Sequence, residues 1–330
     1  MLQVINNYPV GIKTDDNKYR RLELRLLHHY ITATCQGLPN AGASDRNRIW
    51  SQAVPQIGYI SDLVLDGMLA FAALHLNTLI PESPELEVAE TKYVARVIDS
   101  QRKALTELNK KDPQEVFTTA LFLFHYIWLT ENQAAVKEPY HLPTKIFHLA
   151  RGSKILFHSL PYISLDYYEI YCPVLDVARA TRPYQDEFIE NTLLDLEHLA
   201  AVLNNRSIAS IDDQAVIKET LQNLIVMVDT FAASESVSSS QYNFAFLTMR
   251  SPHRFVGLLE EQQPFAMAIL ARNFALIHVM DRTWWMHGLD GMDLAARNVK
   301  GIAGMMPKRF QWMMSWPLDV VGRRKIYKTL

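Results

Sequence analysis

Three polar side chains near the end of one apolar segment have a spacing that could support acid–base chemistry. His278, Asp281 and Arg282 lie three and four positions apart, so on a helix each side chain can reach the next. A carboxylate can orient an imidazole as a general acid or base, and a guanidinium can donate to a ligand carbonyl. The same residues could instead form a buried ion pair that ties a central helix to its neighbours. Both interpretations stay open, and the three residues are our candidate catalytic groups.

Aromatic and histidine side chains on apolar segments are the candidates for ligand contact. Adjacent tryptophans on a helix point in different directions, so one of Trp284 and Trp285 is predicted to line a pocket while the other packs the core. His287 is either a partner for the C-terminal helix dipole or a pocket group. His125 is either a satisfied core histidine or a second pocket group. The complete set of predicted ligand-binding residues is Trp285, Trp284, His287, Phe274, Tyr126, His125, Met68, Phe71 and His75.

Three segments that carry these residues are apolar on every side. They cover residues 62–80, 115–130 and 264–287, and the last is predicted to continue as one helix from Pro264 to Gly288. One face of that helix would hold Met267, Ala271, Phe274, His278, Asp281, Arg282 and Trp285. A helix that is hydrophobic all round is a central helix. Three of them indicate either a thick, well-filled core or a sizeable apolar cavity.

Helical periodicity dominates the rest of the 330 residues, and we find no alternating strand pattern. The sequence predicts an all-α fold, a single large helical domain of about ten to thirteen helices that encloses a hydrophobic ligand pocket. A lead over residues 1–17 would precede this domain at 18–322, and a basic tail would follow at 323–330. With 49% hydrophobic residues the chain can bury a large core.

Several classes of function lack their sequence signals. The net charge of −2 without a basic cluster gives no indication of nucleic-acid binding by this chain alone. The sequence has no zinc-binding HExxH or CxxC motif, no Gly-rich phosphate loop and no Asp-rich diphosphate motif, so we expect no metal and no cofactor. Cys35 and Cys172 are expected to be buried free thiols. No signal peptide and no run of 18 uninterrupted apolar residues is present, which predicts a soluble cytoplasmic protein without a membrane span.

A series of motifs resembles a known family. LELRLLHHY, AALHL, FTTALFLFHYIW, LPTKIFHLARGSKILF and PKRFQWMMSWPLDVVG occur in this order between about Leu22 and Gly322. Their order and spacing are similar to the C-terminal regulatory domain of fungal zinc-cluster transcription factors of the sterol uptake control type. The resemblance implies an all-helical domain with a hydrophobic pocket, which ergosterol occupies in the sterol regulators. The six-cysteine zinc cluster of those regulators has no counterpart here, so DNA binding in their manner is not expected if Met1 is the native start.

A second, narrower resemblance implies an enzymatic function. The chain resembles the hetero-Diels–Alderases of tropolone–sesquiterpenoid pathways, which look like stand-alone regulatory domains of this type. That resemblance implies a cofactor-free pericyclase that joins a terpenoid to a reactive quinone methide in fungal secondary metabolism. Such a reaction needs bound partners in near-attack geometry, excluded water and one or two hydrogen-bond donors. The alternative is a sterol- or lipid-sensing regulatory domain. In both cases the partner is a hydrophobic small molecule (a terpenoid, a quinone methide or a sterol), and a homodimer is left open.

Overall fold

The computed structural model describes residues 14–38, 49–107, 112–137, 139–159, 187–205, 210–233, 244–245, 247–280, 282–288 and 292–323. These residues form fourteen α-helices and short 3₁₀ and π turns. The helices are α1 (Thr14–Thr32), α2 (Val54–Gly58), α3 (Asp62–Leu79), α4 (Pro84–Thr106), α5 (Pro113–Ala135), α6 (Lys145–Ser159), α7 (Glu187–Asn205), α8 (Ile211–Ala233), α9 (Leu247–Arg250), α10 (His253–Glu260), α11 (Pro264–Val279), α12 (Trp284–His287), α13 (Leu294–Met305) and α14 (Ser315–Gly322). No strand occurs in these ranges, and the all-α prediction is confirmed.

The three apolar segments form the central helices α3, α5 and α11. Every residue of α11 from Phe265 to Val279 is buried. Helix α3 is long and apolar enough to cross a membrane by length and composition, which differs from our expectation for the sequence. However, 72% of its 18-residue window is buried inside the protein, as in the core helix of a globular domain. The apolar character of these helices therefore reflects their position in the core.

The prediction of one continuous helix from Pro264 to Gly288 is wrong. Helix α11 ends at Val279, Met280 is extended with φ −71° and ψ 165°, and a separate one-turn helix, α12, begins at Trp284. The His287 side chain stabilises this break. Its Nε2 donates to the carbonyl of Ile277 at 2.7 Å, in the last turn of α11, and the Thr283 amide donates to its Nδ1 at 3.0 Å. The terminal carbonyl is thus satisfied without further helix. The face predicted for α11 therefore stops before Arg282 and Trp285.

Two buried polar contacts tie the C-terminal helices to the rest of the core. Arg272 of α11 donates to both carboxylate oxygens of Asp195 on α7, at 2.6 and 3.0 Å. The same guanidinium donates to the carbonyl of Met313 at 2.9 Å. On the other side, Asn298 of α13 donates to the amide oxygen of Asn132 on α5 at 2.9 Å. These contacts fix α11 and α13 relative to α5 and α7.

Candidate functional site

Five of the predicted ligand-binding residues meet in one group of rings, which we call the aromatic cluster: Phe71, His75, His125, Trp284 and Trp285. The Trp284 indole stacks on His75 of α3 with a centroid distance of 4.2 Å and an angle of 16°. It also lies 4.7 Å from the Phe71 ring, which is 5.8 Å from the His125 ring. His125 of α5 meets Trp285 edge-to-face at 4.5 Å. The fold therefore brings together side chains from three helices that are distant in sequence.

The two adjacent tryptophans have different neighbours and different polar contacts. Trp285 is fully buried, and its Nε1 donates to the carbonyl of Gly37 at 2.6 Å. Trp284 is only partly buried, and its buried Nε1 has no hydrogen-bond partner. It packs so close to Gly37 that a Cβ at this position would lie 2.6 Å from the indole nitrogen. Only a residue without a side chain leaves room for Trp284 here.

Both histidines of the cluster are held in the neutral form. Burial, and then the nearby His29, lower the pKa of His75 to about 4. Its Nδ1 lies 3.0 Å from the Thr34 hydroxyl and 3.2 Å from His29 Nε2. Burial also lowers the pKa of His125 to about 4, although a hydrogen bond to the carbonyl of Leu121 opposes this shift. At neutral pH these two side chains supply polar atoms without charge.

A small apolar cavity adjoins the aromatic cluster. It lies between α3, α4 and α5, and Phe71, Phe122 and Tyr126 are among the residues that line it. The space open to the centre of a water-sized molecule is about 10 Å³, which is room for a single water molecule at most. Its phenol, Tyr126, donates to Glu90 at 2.9 Å. A sterol-sized ligand would therefore need side chains to move, and Phe71 separates the cavity from Trp284.

The candidate catalytic residues have other partners in the structure. His278 Nδ1 lies 2.7 Å from a carboxylate oxygen of Asp293, whose other oxygen accepts from the amide of Ala296 at the start of α13. Burial of Asp293 raises its pKa, but these hydrogen bonds outweigh burial and hold the pKa at about 2. Arg282 donates to the carbonyl of Met292 at 3.0 Å. Asp281 lies outside the described residues. The contact of His278 joins α11 to the N-cap of α13, and the contact of Arg282 joins the segments that precede α12 and α13. A catalytic role for these residues stays a prediction.

The remaining predicted residues lie beside the cluster or support it. Phe274 contacts the Trp128 ring at 6.5 Å, and Trp128 in turn meets Trp285 at 6.1 Å. Met68 is fully buried on α3, and His287 caps α11 as described above. Thr34 and Gly37, which were not among the predicted residues, complete the site from the 3₁₀ turn Thr34–Gly37. No pattern signals them, because both act on residues far away in the sequence.

The described part of the chain offers no side-chain cluster for a metal ion. No group of three or more His, Cys, Asp or Glu side chains suited to a metal occurs within its ranges. Cys35 is a buried free thiol, as expected, while Cys172 lies outside those ranges.

Comparison with known proteins gives the family context. Residues 25–142 match the family model described as fungal specific transcription factor domain, and this region includes Phe71, His75 and His125. A Zn(2)-C6 fungal-type transcription factor of Gibberella zeae is 27% identical over 93% of this chain and 63% of its own length. The transcription factor afumD of Aspergillus fumigatus is 25% identical over 44% of this chain and 38% of its own length. Sterol uptake control protein 2 of Candida albicans is 26% identical over 41% of this chain and 19% of its own length.

The chain thus spans less than two thirds of each of these relatives, and the alignment with the Gibberella zeae protein extends over 93% of the chain. The matched region 25–142 contains the motifs AALHL and FTTALFLFHYIW and most of LELRLLHHY. The predicted resemblance to the regulatory domain of fungal zinc-cluster transcription factors is confirmed.

Proposed function

We propose that this chain is a ligand-sensing regulatory domain of a fungal zinc-cluster transcription factor, and that a sterol-sized hydrophobic molecule binds at the aromatic cluster. The relatives are named as transcription factors, and one of them as a sterol uptake control protein. They favour the sensing alternative over the pericyclase that the narrower resemblance implied. We propose that such a regulator acts inside the cell, in the cytoplasm or the nucleus.

The position of Trp284 carries the proposal. Its indole fills the space between Phe71, His75 and Gly37, yet it is only partly buried and its Nε1 bonds to nothing. It sits on a one-turn helix that follows the extended residue Met280, so a small backbone change can move it. Moving the Trp284 indole breaks ring contacts that each contribute about 0.5–1.5 kcal/mol, but it breaks no hydrogen bond of the indole nitrogen. We infer that Trp284 closes the site and that the ligand replaces its indole.

This displacement predicts the effect of two substitutions on ligand affinity. Trp284→Ala removes the competing indole, so we expect cholestanol to bind roughly two- to tenfold more tightly than to the wild type. Gly37→Ala should act in the same direction, because its Cβ would lie 2.6 Å from the indole nitrogen and push the ring out. Affinity is measured as the dissociation constant of radiolabelled cholestanol in equilibrium dialysis.

Two matched variants control for general effects on the fold. Trp316 packs against Phe188 outside the cluster, and a Cβ added at Gly304 would meet no atom within 4 Å. Trp316→Ala and Gly304→Ala should leave the dissociation constant unchanged. The displacement is refuted if Trp284→Ala and Gly37→Ala bind cholestanol no more tightly than these controls, and the choice of ligand is refuted if the wild type does not bind it.

A reporter assay tests the regulatory role. The chain is fused to an unrelated DNA-binding domain in yeast cells, and reporter transcription is measured while the sterol supply is varied. We expect sterol to change transcription through the fusion, and Trp284→Ala to shift the sterol dose at half-effect downward. A fusion whose output does not depend on sterol, although the purified chain binds it, would contradict the sensing function.

A further inference from the structure

Four buried side-chain polar atoms on α5 have no hydrogen-bond partner among the described residues: Oγ1 of Thr118, Oγ1 of Thr119, Nε2 of His125 and Nε1 of Trp128. The side chains of His125 and Trp128 are 0% and 2% exposed. These two residues are three positions apart, so they share one face of the helix. Both rings contact the Trp285 indole, at 4.5 and 6.1 Å. An unsatisfied buried polar atom destabilises the folded state, so a donor and an acceptor left unpaired on one helix face need an explanation.

The chemistry of the two atoms is complementary. His125 Nδ1 lies 2.7 Å from the Leu121 carbonyl and must donate to it, which leaves Nε2 with a lone pair that can only accept. The indole nitrogen of Trp128 can only donate. A hydroxyl group is the smallest group that serves both, because it donates one hydrogen bond and accepts others. A ketone oxygen can serve only Trp128, and a hydrocarbon serves neither.

These atoms lie at the inner side of the proposed ligand site. The Phe71 ring contacts both Trp284 and His125, and it also lines the small cavity between α3, α4 and α5. A ligand that replaces the Trp284 indole and enters past Phe71 would meet His125 next. The rings of Phe71 and Trp285 on either side of His125 offer no unpaired polar atom, because Trp285 Nε1 donates to the carbonyl of Gly37, so the pair on α5 would be the polar end of the site.

We propose that His125 and Trp128 anchor the ligand, and that they select a hydrophobic molecule with a single hydroxyl group at its leading end. This proposal rests on the proposed function, because it needs a ligand at the aromatic cluster. It goes further by naming the polar group that the ligand must carry and the two atoms that recognise it.

The test compares three ligands with the same carbon skeleton: cholestanol, cholestanone and cholestane. We expect the wild type to bind cholestanol about tenfold more tightly than cholestanone, since the ketone leaves His125 Nε2 unpaired. In His125→Leu this ratio should fall to about one, because no acceptor remains. His125→Gln keeps an amide oxygen that can accept, and should retain a preference for the alcohol. Thermal melts confirm that each variant is folded.

A variant of the donor tests the other half of the anchor. Trp128→Phe removes the indole N–H and keeps an aromatic ring. It should weaken the binding of both cholestanol and cholestanone, since both oxygens accept from the indole, and leave the affinity for cholestane unchanged. This variant also keeps the test decisive if His125→Leu does not fold.

The outcomes separate the anchor from the proposed function. If cholestanol, cholestanone and cholestane bind the wild type equally, ligands bind but the anchor is wrong, as it would be if a trapped water satisfied both atoms. If the alcohol preference survives in both His125→Leu and Trp128→Phe, the hydroxyl is recognised elsewhere and the anchor is also overturned. If none of the three ligands binds, the ligand-binding function itself fails.

Discussion

Removing the carboxylate of Asp195 should destabilise the whole domain strongly. Arg272 is 2% exposed and makes two charge-assisted hydrogen bonds with Asp195, whose side chain is 17% exposed. In Asp195→Ala the guanidinium keeps its bonds to the carbonyls of Ala268 and Met313, but its charge loses its counter-ion. Breaking a buried pair from one side costs about 3–5 kcal/mol. With an unfolding entropy of about 2.1 cal/mol/K per residue, this corresponds to a fall in Tm of about 4–7 °C for a chain of this length.

Calorimetry at neutral pH measures this change, and a surface pair provides the comparison. Arg254 contacts Asp213 and Glu261 with 44% of its side chain exposed, so Arg254→Ala should lower Tm far less. A control in the buried pair is Asp195→Asn, which keeps the shape and one acceptor and should fall between Asp195→Ala and the wild type. If Asp195→Ala and Arg254→Ala lower Tm equally, then α11 is not held to α7 by this pair, and the description of the core is wrong.

Three further substitutions test local energetics. His125→Leu should be at least as stable as the wild type at neutral pH, because it removes an unpaired buried nitrogen. As the pH falls from 6.5 to about 4, only the unfolded histidine gains a proton, so the wild type loses stability over this range. Urea titrations should show a smaller loss of stability for His125→Leu. Burial raises the pKa of the Asp66 carboxyl to about 6 despite the nearby Arg96, so the wild type loses stability as the pH rises from about 4 to 6 and the folded carboxyl must ionise. Asp66→Asn should therefore gain stability relative to the wild type over this range. The same pH dependence of the free energy of unfolding in urea for both proteins would contradict this. Gly301→Ala should lower stability by about 1–3 kcal/mol, because its Cβ would overlap the Tyr140 ring, and an unchanged urea midpoint would show that the ring moves freely.

The sequence was sufficient to identify the central helices. Helices α3, α5 and α11 are apolar on every side, and this composition has few structural explanations other than burial. The break after Val279 could not be predicted in the same way. No Gly or Pro marks it, and it depends on a bond from the His287 side chain to the carbonyl of Ile277, which a helical wheel does not represent.

Residue type alone was informative about which side chains are buried together in the aromatic cluster. Histidines and aromatic rings on apolar helices had to be buried, and Phe71, His75 and His125 do meet Trp284 and Trp285. Sequence spacing was a poorer guide to which polar side chains contact each other. It suggested Asp281, which lies outside the described residues, as a partner of His278. It did not suggest Asp293, whose carboxylate contacts His278 because the chain turns back between α11 and α13. Distance along the sequence does not reveal that the chain turns back in this way.

A structure of the chain bound to cholestanol would show whether a hydrophobic ligand takes the place of the Trp284 indole between Phe71 and His75. We expect density for the sterol rings against these two side chains, with Trp284 rotated away and the sterol hydroxyl within hydrogen-bond distance of His125 Nε2. A complex in which Trp284 still stacks on His75 while the sterol lies elsewhere would contradict this displacement.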